Sequence, residues 1–164
     1  MTLRRRELLG VTGSVALAGC LSGVPLIGST PDTSFGGNVT SDEPLVTDVD
    51  LSIREPYPNH YSAVISSETE ASERIRWEYI ESELPMLIDP LEDAVYDSER
   101  QFFFGMVLPE RKRLRVDDVS SRRGTIEYTY RIRDRHSGSS ELGINTNISR
   151  VRTDTTDVQF TVEF

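Results

Sequence analysis

Arg100-Gln101-Phe102-Phe103-Phe104-Gly105-Met106-Val107-Leu108 is a near-continuous apolar run of strand length, and Pro109 follows it directly. A strand with no polar face to spare for water belongs in the middle of a sheet. Proline has no N–H to give to a ladder, so the strand ends at Pro109. On the C-terminal side, Arg111 to Val119 and Thr125 to Arg133 read as a hairpin around Ser120-Ser121-Arg122-Arg123-Gly124. With Val119 opposite Thr125, Leu114 faces Tyr130 and Val116 faces Tyr128 on one side. Asp117 then faces Glu127, and Arg113 faces Arg131, on the other. Ile144 to Arg152 and Val158 to Phe164 supply two further strands, the last with Val158, Phe160, Val162 and Phe164 on one side.

On the N-terminal side the period is again two. Leu45, Thr47, Val49, Leu51 and Ile53 share a face, which predicts a half-buried strand, and Glu55-Pro56-Tyr57-Pro58-Asn59 is a turn before a second strand over Tyr61 to Ser66. Ser67-Glu68-Thr69-Glu70 fits a capping box opening a helix over 68 to 76, with Ala71 and Ile75 inward. Between Trp77 and Asp97, Pro85 and Pro90 forbid one long helix, yet Leu84, Met86, Leu87, Ile88 and Leu91 demand burial; this reads as a compact connection with a helical turn or two. The expected fold is mainly β: a small antiparallel sandwich or open barrel of about seven strands, with one short helix after the second strand.

The chain has 164 residues, room for one domain with an address and a tether. It holds 27 acids against 18 bases, and Lys112 is the only lysine. Abundant carboxylates with almost no lysine resemble the proteins of halophilic archaea, whose acidic surfaces stay soluble in concentrated salt. Arg5-Arg6-Glu7-Leu8-Leu9, followed by a stretch diluted with Gly10, Thr12, Gly13 and Ser14, resembles a twin-arginine export signal, with Arg4 where Ser or Thr usually stands. Leu17-Ala18-Gly19-Cys20 resembles a lipobox. Residues 7 to 19 are too few and too rich in glycine to span a bilayer. The two resemblances imply a signal peptide over 1–19 with Arg5 and Arg6 as the export pair, and a lipid on Cys20. Residues 20–44, rich in Gly, Ser, Thr and Pro, then read as a flexible spacer, and 45–164 as one domain at the extracytoplasmic face of the cell membrane. Asn38-Val39-Thr40 and Asn147-Ile148-Ser149 match the glycosylation pattern, making Asn38 and Asn147 candidate acceptors.

Chemistry-bearing motifs are few. Asp134-Arg135-His136-Ser137-Gly138-Ser139 contains acid, imidazole and hydroxyl, but neighbours in one loop are poorly preorganised for a triad, so no catalytic residue is assigned. His60 reads as a turn residue. Asp89, Glu92 and Asp93, or Asp154 with Asp157, could gather around Ca²⁺ but lack the spacing of a binding loop; no metal and no cofactor is implied. The more informative feature is charge asymmetry. Residues 41–110 carry 17 acids and 4 arginines, whereas 111–135 carry nine bases and four acids. Arg113 facing Arg131, and Arg111 facing Arg133, would collect like charge on the hairpin, which is unfavourable unless an anion or carboxylate intervenes. Either the acidic half folds over these four arginines, or they bind an anionic envelope component or protein partner. Net negative charge disfavours nucleic acid. The function expected is therefore a lipid-anchored cell-surface binding or accessory module; the alternative is a small extracytoplasmic hydrolase using paired carboxylates.

Overall fold

The computed structural model describes residues 29–49, 51, 53 and 59–164. Among the described residues seven strands form two sheets. One has four strands in the order β1 (Thr33–Ser41), β6 (Leu142–Arg152), β3 (Glu99–Pro109), β2 (His60–Ile65). The other has three, in the order β4 (Lys112–Arg122), β5 (Thr125–Asp134), β7 (Val158–Glu163). Three short helices, α1 (Glu68–Arg74), α2 (Trp77–Glu83) and α3 (Ile88–Glu92), with a 3₁₀ turn at Pro85–Leu87, connect β2 to β3. The mainly β sandwich is thus observed. It has three layers, because alternate residues of β3 serve two cores. Phe103 and Val107, with Ile144 and Ile148 of β6, pack under the helices against Ile75, Ile80, Leu87 and Leu91. Phe102, Phe104, Met106 and Leu108 face the three-stranded sheet at Leu114, Ile126, Tyr128 and Tyr130. A strand read as continuously apolar is therefore buried on both faces, as the Phe102–Phe104 run requires.

Local chemistry fixes the helices. Ser67 accepts the Glu70 N–H at 3.1 Å, and the Glu70 carboxylate takes the Ser66 N–H at 2.7 Å and hydroxyl at 2.8 Å, a capping box displaced by one residue. Those hydrogen bonds hold the Glu70 carboxyl below its ordinary value. The Tyr61 ring lies over Gly105, its cross-strand partner, in space any Cβ would fill. Its hydroxyl receives the Leu45 N–H at 3.3 Å and meets the Thr146 hydroxyl at 3.1 Å.

Four expectations are corrected. Among the described residues of the 45–53 stretch there is no strand: Leu45 and Val46 are both buried, Val46 makes one isolated bridge to Ile75, and Asp48 adopts a φ of 57° that turns the chain. The first strand lies earlier, at Thr33–Ser41, inside the stretch read as spacer, antiparallel to β6. The hairpin closes at Arg123 and Gly124, both at positive φ (53° and 83°), as a two-residue turn demands. Its register is Val116 opposite Tyr130, Leu114 opposite Ile132, Arg115 opposite Arg131 and Arg113 opposite Arg133, with a bulge between Val116 and Asp118. The bulge brings Val119 and Ser121 onto the inner face already occupied by Leu114 and Val116. Finally, β7 pairs parallel to β5, so the second sheet is mixed. Ser29 exchanges two backbone hydrogen bonds with Ser121 (3.1 and 2.7 Å), which fixes the start of the described chain beside the hairpin turn.

Candidate functional site

Strand alternation sends Leu114, Ile126, Tyr128 and Tyr130 inward, so Arg113, Arg115, Arg131 and Arg133 come to the outer face of the three-stranded sheet. They stand as two adjacent like-charged pairs, Arg113 with Arg133 and Arg115 with Arg131. Arg131 is compensated from both neighbouring strands: Glu163 of β7 at 2.7 Å and Asp117, at the bulge, at 3.2 Å. The Glu163 hydrogen bond and the Asp117 charge raise its pKa. Arg113, Arg115 and Arg133 are exposed and, among the described residues, have no carboxylate partner. Arg111, just before β4, is also exposed and engages only through its backbone, giving its N–H to the Ser139 carbonyl. The acidic helical segment lies across the four-stranded sheet from these arginines and does not neutralise them.

A second feature adjoins them. Three strands cannot cover four, so β1 and part of β6 are left open beside the edge of β4, forming a cleft of about 580 Å³. Arg113, Arg115 and Arg135 contribute to its walls, with Asn38, Asn145, Asn147, Ser149 and Tyr128, and its lining contains no Asp or Glu. The amides stitch the sheets together. Leu114, on the free edge of β4, gives its N–H to Asn145 Oδ1 at 2.9 Å, and its carbonyl receives Asn38 Nδ2 at 2.5 Å. Asn147 Nδ2 donates to Asn38 Oδ1 at 2.6 Å and to the Gly37 carbonyl at 3.1 Å, while its Oδ1 accepts the Tyr130 hydroxyl at 3.0 Å. Two carboxamides thus occupy the place of a neighbouring strand, and the β4 edge is blunted there. Tyr128, hydrogen-bonded to Ser149 at 2.7 Å, has its pKa pushed up to about 12 by burial. Burial likewise raises Tyr130 well above its ordinary value. Both stay neutral hydroxyls near neutral pH.

The remaining sequence candidates do not converge. Arg5, Arg6 and Cys20 lie outside the described residues. Asn147 is 4% exposed with its amide hydrogens engaged, so the folded domain offers no nitrogen there for a glycan; Asn38 is exposed, but its amide also bridges the sheets. His60 opens β2 instead of lying in a turn, its ring 5.7 Å from that of Phe104. His136 is exposed, while Ser139 is tied to Glu110 at 2.8 Å, so the loop assembles no triad. Asp89, Glu92, Asp93, Asp154 and Asp157 are exposed, and among the described residues no three His, Cys, Asp or Glu side chains gather as a metal site would require. The asparagine stitch is what sequence reasoning missed. Its signal, Asn145-Thr146-Asn147-Ile148-Ser149, alternates as a solvent-facing strand would.

Fold and site together define a class: a three-layer domain, helices on a mixed β sandwich, with an acidic helical side and an arginine-bearing sheet on the other. No family model, curated protein or solved structure matches the chain. Among the described residues no helix is long and apolar enough to cross a membrane.

Proposed function

We propose that the chain is a lipid-anchored binding module at the extracytoplasmic face of the cell membrane, held by Cys20, which receives an anionic envelope component on the outer face of β4 and β5. The observation that supports it is the uncompensated group Arg113, Arg115 and Arg133. Like charges set side by side on a rigid sheet cost stability, and the neighbouring Arg131 shows how the fold relieves that cost where it does so. In molar salt the screening length is about 3 Å, so a partner must be met by direct contact, with guanidinium groups forking onto carboxylate, sulfate or phosphate. The paired-carboxylate hydrolase gains no support from the cleft beside β4, which has no acid in its lining.

Arg113→Ala together with Arg133→Ala should weaken binding to anionic vesicles or envelope extract in molar KCl by tenfold or more, with the melting temperature within about 3 °C of the parent. Surface changes of this kind typically stay within ±0.5 kcal/mol. Unchanged binding, or a melting temperature lowered by many degrees, removes the reading.

A further inference from the structure

We propose that the anionic component bound by this face is the acidic helical layer of a second copy of the chain, so that copies associate head to tail. The inference rests on the arginine face being a docking surface, and names what docks.

The two faces are complementary and cannot meet within one molecule. Helices and three-stranded sheet pack on opposite sides of the four-stranded sheet, so their outer surfaces point apart. Residues 68–97 contain ten acids and two arginines. Nine of those acids are exposed, and among the described residues none of the nine has a cationic partner; Arg74 and Arg76 are engaged by Asp48 and Glu43, outside the segment. On the opposite side Arg113, Arg115 and Arg133 have none of the carboxylates they require.

Apolar surface divides in the same way. The large exposed hydrophobics among the described residues are Met86 (66%), Val95 (56%), Leu142 (38%) and Phe164 (78%). Met86 stands between Glu83 and Asp89, and Val95 between Asp93 and Asp97, all on the acidic layer. Leu142 and Phe164, with Pro109, Ile132 and the stem of Lys112, wall an apolar groove of about 400 Å³. Lys112 and Ile132 are the chain neighbours of Arg113 and Arg133, but alternation turns them to the inner side, so the groove opens at the end of the β4–β5 hairpin away from its turn. Met86 is unbranched and adaptable, the side chain suited to such a groove, and the exposed Glu83 and Asp89 lie on either side of it in sequence. The contact joins two different surfaces. It therefore does not close on itself as a symmetric pair would, and it propagates as a row.

A charge-swap pair tests it on the full chain. Sedimentation in KCl should show concentration-dependent association of the parent chain. Arg113→Glu with Arg133→Glu should abolish it, as should Glu83→Arg with Asp89→Arg, each weakening association at least tenfold while melting stays cooperative. Mixed one to one, the two variants offer each other one intact acidic and one intact basic face, and their two reversed faces are complementary as well, so association should return in the mixture while each variant alone stays monomeric. If charge reversal unfolds either protein, Arg113→Gln with Arg133→Gln replaces the first and Glu83→Gln with Asp89→Gln the second, each expected to be monomeric. A parent that remains monomeric at all concentrations, or swapped variants that do not pair, overturns the proposal. If that monomer still binds anionic vesicles through Arg113 and Arg133, the docking face stands and its occupant is another anion. If it binds neither vesicles nor itself, both readings fall.

Discussion

Glu99 shows how much a single carboxylate can organise. It is 6% exposed at the head of β3, and it accepts the Val95 N–H at 3.0 Å and the Ser34 hydroxyl at 2.7 Å, with Arg150 Nε at 3.4 Å. Burial pushes its carboxyl upward, but those hydrogen bonds and the charges of Arg150 and Arg152 outweigh it, and the carboxyl sits below its ordinary value. A depressed carboxyl contributes stability that is complete above the unfolded-state value of about 4.3 and is lost as pH falls through the lower folded value. Glu99→Gln should therefore lower stability by about 3 kcal/mol at pH 7, because it leaves Arg150 buried without its charge partner. It should also flatten the fall in melting temperature below about pH 4, and a parallel loss at every pH would refute that assignment. Arg150 itself is anchored at the Pro90 carbonyl (3.1 Å), so this one cluster ties β6, β1 and α3 together.

Elements were legible where one physical signal dominated. Phe102 to Phe104 place β3 in the interior because no pleated face can hide three consecutive phenylalanines unless both faces are covered, and Ser67 with Glu70 locate α1 through its orphan N–H groups. Thr33–Ser41 was not legible, since Gly36 and Gly37 read as spacer. It is a strand because β6 offers it a full ladder and Phe35 and Val39 reach the helix-side core. The arginine site was visible as charge but misplaced in register, because arginine is an unusual first residue for a two-residue turn. Asn145 and Asn147 gave no warning of burial, for an amide that replaces a backbone partner looks in sequence like one facing water. The turn makes its own prediction. Arg123 holds a left-handed conformation that asparagine adopts more readily, so Arg123→Asn should raise stability by roughly 0.5–1 kcal/mol, measurable as a higher denaturant midpoint at constant slope. A lower midpoint would mean that Arg123 contributes something beyond the turn.

For the whole molecule, charge sets the conditions of folding. With 27 acids and 18 bases, and most of the helical-layer carboxylates unpaired, self-repulsion opposes compaction in dilute buffer. The melting temperature should climb steadily from low to molar KCl, followed by circular dichroism; a flat response would end the resemblance to halophilic proteins. The Ser29–Ser121 pair carries a different consequence. Eight residues lie between Cys20 and Ser29, nine steps and at most about 32 Å of chain, and Ser29 stands beside the β4–β5 turn. Arg113 lies eight residues up β4 from Ser121, about 27 Å away. A lipid on Cys20 would thus keep the hairpin end within about 32 Å of the bilayer, and bring the acidic flank of each molecule into one plane with the basic flank of the next. Confinement to a plane raises effective concentration without strengthening any contact. Two flanks that barely associate in a test tube could then line up in files along the bilayer and scatter on detachment.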